Sequence, residues 1–240
     1  MRNFASDLKN STLKRNEIIL VALMALLNFT HILDFMIIMP LGNILMPKWS
    51  LTTSEFAIIV SSYSLSAFVS SFCAIFFADK FDRKKLLLFA YSGFLLGTFA
   101  CAFAFGTYSM ILARIVTGIF GGLISAQILS IIADVIPYER RGRAMGMLMG
   151  GFALASVIGV PFGLYLANTY DWHYPFLVVA IFGVLLLPFL FKFVPNVNSH
   201  LENPIKLKER ISNFYDIFSN KAQVTALIFS FLLITGHFII

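Results

Sequence analysis

Long apolar runs separated by short polar gaps dominate the chain. Seven stretches, at approximately 18–45, 55–78, 86–107, 109–133, 144–167, 174–194 and 223–240, are long enough to cross a bilayer, since a spanning helix needs roughly 20 mostly apolar residues. The separators read PKWSLTTSE, DKFDRKK, a Gly-Thr-Tyr turn, DVIPYERRGR and NTYDWHY, and only the sixth gap, about 192–222, is long. With no water inside the bilayer, backbone groups must pair within each segment, which predicts helices. Barrel strands would show about ten residues of alternating polarity; these runs are longer and do not alternate. The pattern predicts an all-α polytopic membrane protein. Its parts are a cytoplasmic tail at 1–17, a six-helix transmembrane bundle at 18–194, a cytoplasmic loop at 195–222 and a seventh span at 223–240. The polar tail leads into an apolar run that continues through Asp34 and Pro40, so it reads as a retained span rather than a cleaved signal.

Composition agrees with that pattern. Hydrophobic residues make up 59% of the 240 and charged residues 12%, against about 25% charge in soluble domains. A water-facing surface cannot be built from so little charge, and 27 Phe exclude disorder. Cys73 and Cys101 each lie inside an apolar run, so neither a disulfide framework nor a metal box is expected. Of the 18 Lys and Arg, sixteen fall in the tail and in the second, fourth and sixth gaps. Only Lys48 lies on the opposite side, and Arg114 sits within a span. Basic loops stay cytoplasmic, which puts the amino terminus inside an inner membrane and explains the net charge of +6 without nucleic acid. Trp49, Trp172, Tyr170 and Tyr174 gather in the outer gaps, as an interfacial aromatic belt would.

In the long gap, Leu207, Ile211, Phe214 and Phe218 recur at helical spacing with Lys206, Lys208 and Arg210 on other faces. That fits a surface helix, with a solvated linker as the alternative. The last run reaches Ile240 without a closing polar residue, so the chain reads as the first part of a longer one.

Four spans carry stripes of small residues: Ser62, Ser66, Ser70 and Ala74; Gly93, Gly97 and Cys101; Gly118, Gly122 and Ala126; Gly151, Ala155, Gly159 and Gly163. Helices in lipid associate by close packing over such residues, so a tight bundle is expected. Pro161 follows Gly159, and a proline inside a helix removes a donor and bends the chain, which makes this position either a flex point or a static kink.

Asp34 and Arg114 are the only ionisable residues of opposite sign deep in the runs. Each costs about 2.5–3.5 kcal/mol at a helix centre, so both should face the interior, and each other is the natural partner. His31 lies one turn before Asp34 on a neighbouring face. Burial favours a neutral carboxyl and a nearby guanidinium favours a charged one, so a group between those pulls can load and release a proton. A permanent ion pair locking two spans is the alternative. On the cytoplasmic side, Asp79, Arg83, Lys84, Asp134, Arg140 and Arg141 form a candidate charge lattice. No GxxxxGK[ST], HExxH, CxxC or GxSxG pattern occurs, so no enzyme, cofactor or metal is expected.

Three motifs converge. IFFADKFDRKK carries Ala78, Asp79, Arg83 and Lys84 of the pattern G-x-L-A-D-R-x-G-R-K, with Ile75 and Asp82 where the glycines would stand. LARIVTGIFGG supplies Arg114, Gly118, Gly121 and Gly122, and the fifth run holds Ala155, Gly159, Pro161 and Gly163 in a GxxxGPxxGG-like order interrupted by Val160. In order and on the right segments, these motifs resemble the amino-terminal half of a major facilitator superfamily transporter, with the fifth-run motif resembling the arabinose-efflux and drug:proton antiporter branch. The resemblance implies a twelve-span transporter of two six-helix halves with alternating access, which makes the seventh span at 223–240 the start of a second bundle. It also implies Asp34 and Arg114 on a cavity wall, proton-coupled efflux of drugs or sugars, and a need for the second half. A symporter for uptake and a non-transporting seven-span receptor are the competing readings.

Overall fold

The computed structural model describes residues 12–198 and 218–239, with side chains to 232. Among the described residues, six helices are long and apolar enough to cross a membrane. They run α1 Arg15–Trp49, α2 Thr53–Phe77, α3 Arg83–Ala102, α4 Thr107–Val135, a fifth span built from α5 Tyr138–Leu154 and α6 Val160–Thr169, and α7 His173–Phe193. A separate unit carries α8, Lys221–Ile239. Among the described residues there is no strand. The amphipathic stretch expected around Leu207, Ile211 and Phe214 lies outside the described residues, as does the tail before Thr12.

Local chemistry places the helix ends. Ser50 adopts the left-handed conformation, φ 52°, and stops α1. The Thr52 hydroxyl accepts from the Glu55 amide, and Glu55 accepts in turn from the Thr52 amide at 2.8 Å, a capping box that starts α2. Asp82, which replaces a glycine of the family pattern, has an ordinary φ of −58° and caps α3 by accepting from the Lys85 amide at 2.9 Å. Two boundaries differ from the hydropathy reading. Thr107 and Tyr108 are already helical, the connection being Phe103–Gly106. Arg140, Arg141 and Arg143 lie in the first turns of α5, because Pro137 opens a helix that hydropathy could detect only from residue 144.

The glycine stripes are the places of closest approach. A side chain at Gly118 would meet the Tyr63 carbonyl, and one at Gly122 the Ala67 carbonyl and Ser71 Oγ, both on α2. Ser71 Oγ donates across this seam to the Gly122 carbonyl at 3.1 Å, and Ser70 Oγ to the Ile119 carbonyl at 2.5 Å. Gly151 fits against the Ala25 carbonyl of α1, and Gly159 and Gly163 against Leu33 and Ile37. Pro161 acts differently from a simple kink. Its missing amide and ring clash fall on the turn before it, and Ala155–Gly159 widens into one π turn that lets the helix continue as α6.

Two apolar cores fill the bundle. One contains Leu20, Met24, Leu87, Phe94, Ile128 and Leu190, and the other contains Ile37, Leu41, Ile59, Met110, Trp172 and Phe176. Between them lie the buried polar residues Thr30, His31, Asp34, Thr98, Arg114 and Thr117. Trp172 departs from the belt reading: it is 2% exposed and packs edge-on against Trp49, whereas Tyr170 and Tyr174 are exposed.

Beside this tryptophan pair, Asp171 Oδ1 lies 2.6 Å from His173 Nδ1, and Asp171 Oδ2 lies 3.4 Å from Lys48 Nζ. Slight burial pushes the Asp171 carboxyl up, but the His173 hydrogen bond and the two neighbouring cationic partners outweigh it and hold its pKa below the usual 3.8. A lowered folded pKa stabilises above the unfolded value and is lost as pH falls through the folded one. Asp171→Asn should therefore lower Tm at neutral pH by no more than about 3 °C, as befits an exposed pair. In melts of detergent-purified protein, that difference should shrink as pH falls past the ordinary carboxylate pKa and vanish below the lowered one. An undiminished difference there would remove the electrostatic explanation.

Candidate functional site

The polar layer centres on an ion pair between α1 and α4. Arg114 Nη1 donates to Asp34 Oδ2 at 2.8 Å and to the Asp34 carbonyl at 3.1 Å, and both side chains have zero exposure. Water is excluded, so a broken pair would leave a buried charge, which is expensive. The hydrogen bonding is incomplete. Asp34 Oδ1, Arg114 Nε and Arg114 Nη2 have no partner.

The other side of the guanidinium faces an aromatic ring. Arg114 Cζ stands 4.6 Å from the centroid of Tyr63 on α2, within the range where the ring quadrupole attracts a cation. The Tyr63 hydroxyl lies 2.7 Å from His31 Nε2, while His31 Nδ1 is unpartnered. Room for this contact comes from Gly121, where any side chain would sit 2.6 Å from Tyr63 Oη and 2.8 Å from His31 Nε2. On the α3 side, Thr30 Oγ1 contacts the Tyr91 hydroxyl at 3.1 Å. Asp34, Arg114, Tyr63 and His31 thus form one buried cluster joining three helices. The sequence brings Asp34, His31 and Arg114 forward as candidates. Tyr63 is a residue it misses; its one signal is a phenol in an otherwise apolar and serine-rich run.

Asp34 and Arg114 face each other inside the bundle, and a groove of about 670 Å³ between α2 and α4 is lined by Ser61, Leu65, Ser66, Val69, Ile111 and Ile115.

At the basic end, Arg83 Nη1 pairs with Asp79 Oδ1 at 2.6 Å and Arg83 Nε with Asp134 Oδ2 at 3.2 Å, tying the α2–α3 connection to the end of α4. Arg140 and Arg141 go elsewhere. Arg140 Nη1 donates to both carboxylate oxygens of Glu17 at 2.8 Å, joining α5 to α1. Arg141 donates to the Ile136 and Ala133 carbonyls and closes the end of α4. Lys84 makes no ion pair among the described residues. Glu17 is a further residue the sequence reading passes over, although an acid at the mouth of the first apolar run was a visible signal. Among the described residues no group of three His, Cys, Asp or Glu could hold a metal.

The family model of the Major Facilitator Superfamily matches residues 24–240. The chain belongs to the Major Facilitator Superfamily. It is similar to YceJ of Bacillus subtilis, an uncharacterized MFS-type transporter, at 27% identity over 85% of this chain and 52% of that protein. It is also similar to Multidrug resistance protein 3 of the same organism, at 29% identity over 69% of this chain and 32% of that protein. The chain therefore spans about half or less of the length of these relatives. The proton:xylose symporter XylE of known structure shares the fold, with a TM-score of 0.64, 19% identity, and coverage of 88% of this chain and 51% of that one. The chain is a multi-pass membrane protein of this superfamily.

Proposed function

We propose that this chain forms the first half of a twelve-span, proton-coupled transporter that exports small organic molecules, drugs or sugars, by alternating access. Asp34 carries the proton, Arg114 is its counter-ion, and His31 is the neighbouring titratable group. The observation that carries this reading is the fully buried Asp34–Arg114 pair, in which Asp34 Oδ1, Arg114 Nε and Arg114 Nη2 are unpartnered. Buried pairs are poor stabilisers for their desolvation cost, and incomplete pairing fits a contact that must also break. Similarity to a multidrug resistance protein supports export of small organic molecules. The distribution of Lys and Arg supports an inner-membrane protein with its amino terminus in the cytoplasm.

Proteoliposomes holding the full-length protein test coupling and direction, with ethidium, tetraphenylphosphonium and L-arabinose as probes. An imposed proton gradient should drive a probe uphill against the direction of proton flow. Movement with the protons would make the protein an uptake symporter, and uphill movement without proton flux would sink the coupling.

The Asp79–Arg83–Asp134 cluster biases which side of the bundle is open. Its acids are one-third exposed, and such pairs are worth about 0–1 kcal/mol each, enough to tilt an equilibrium but not to hold a fold. Asp79→Asn should slow probe transport several-fold while membrane expression, read by a fluorescent fusion, stays near wild type. Loss of the protein from the membrane would make Asp79 a structural residue instead.

A further inference from the structure

Tyr63 is buried at 4% exposure, is absent from every motif in the sequence, and touches both halves of the polar cluster. Its hydroxyl meets His31 on α1, its ring faces Arg114 on α4, and its ring also packs against Phe35 on α1, with centroids 5.2 Å apart. Arg114 Nη1 is held by the Asp34 carboxylate and carbonyl and the guanidinium faces the Tyr63 ring, while Nε and Nη2 have no hydrogen-bond partner. The ring is therefore the second half of the guanidinium's seat. α4 leaves space for it at Gly121, and Gly118 lets the Tyr63 backbone come within touching distance.

We propose that Tyr63 is a positioning residue that couples α2 to the protonation of Asp34, taking up the Arg114 guanidinium when the carboxylate releases it. This rests on the reading of Asp34 as the proton carrier. When Asp34 gains a proton, its charge no longer holds Arg114, and what remains for the cation is the Asp34 carbonyl at 3.1 Å and the Tyr63 ring already at 4.6 Å, of which only the ring belongs to α2. Because the same tyrosine is held by His31, three residues before Asp34, the change at the α1–α4 pair reaches α2 through a direct contact. The titratable and charged groups around Tyr63 are His31 and Asp34 from α1, Arg114 from α4 and the buried thiol of Cys101 from α3. A purely structural role predicts packing loss without any effect on the proton response.

The test uses protons as the ligand. The full-length protein in nanodiscs, in a Cys73→Ser background that keeps the fully buried Cys101, carries spin labels at Leu65→Cys on α2 and Leu185→Cys on α7, both exposed. Electron–electron double resonance then reads the α2–α7 distance distribution between acid and alkaline pH. In otherwise unaltered protein the distribution should redistribute with pH. Tyr63→Leu should shrink that redistribution about thirtyfold, the weight of a desolvated cation–π contact, while Tyr63→Phe keeps most of it. A distribution indifferent to pH, or a Tyr63→Leu protein that responds like the parent, overturns the inference. Equal loss in Tyr63→Phe and Tyr63→Leu would also overturn it, by moving the coupling from the ring to the hydroxyl. Asp34→Asn separates the two readings. If it still titrates, the carrier assignment fails; if it is locked while Tyr63→Leu titrates normally, only the role of Tyr63 fails.

Discussion

Arg114→Ala should lower the stability of the purified protein by about 3–5 kcal/mol, the usual consequence of stranding one partner of a buried ion pair. Asp34 has zero exposure, and the structure gives it no other cation within salt-bridge distance among the described residues. Arg114→Lys should recover little. An ammonium is a compact, strongly hydrated charge that cannot spread over the Tyr63 face while also meeting the carboxylate. The informative variant is the neutral double replacement, Asp34→Asn with Arg114→Gln. Removing both charges together avoids the stranded ion, so thermal stability should return close to wild type. Uphill probe transport should not return. A double variant as unstable as Arg114→Ala would show that the pair holds the bundle together and would favour the locking role.

The second large effect concerns the α2–α4 seam. Gly122→Val places a branched side chain against the Ala67 carbonyl, which belongs to the backbone and cannot rotate away. α2 must retreat, and the hydrogen bonds from Ser70 and Ser71 across the seam stretch with it. A loss of about 3 kcal/mol is expected from overpacking together with those bonds. Gly146→Val is the control, because a Cβ there meets nothing within 4 Å. Detergent melts of the two variants should differ by most of that amount. Equal melts would mean that α2 does not rest on α4 as described.

The spans were legible because an apolar run of sufficient length has one solution in lipid, and the boundaries shifted only where polar residues extend a helix past the bilayer. Arg140 and Arg143 illustrate this. Hydropathy assigns them to a gap, yet Pro137 opens the helix in front of them. The Asp34–Arg114 contact was legible because two isolated opposite charges in apolar runs have few alternatives. Tyr63 was hidden for the converse reason, since an aromatic residue in an apolar run needs no explanation until the fold brings His31 and Arg114 to it. The partner of Arg140 was hidden by distance, with 123 residues separating it from Glu17. The π turn at Ala155–Gly159 was half legible: Pro161 signals a break in the hydrogen-bond ladder, but the sequence does not say whether the helix kinks or inserts a residue.

Proton release on substrate binding is the most direct test of Asp34 as the carrier. The full-length protein, purified in weakly buffered detergent with a pH-sensitive dye, is mixed with the probe that it transports in proteoliposomes. Wild type should release protons on binding, and Asp34→Asn should release none while still binding the probe. Asp34→Asn releasing protons like wild type would contradict the assignment, and loss of release in His31→Ala alone would move it to the histidine.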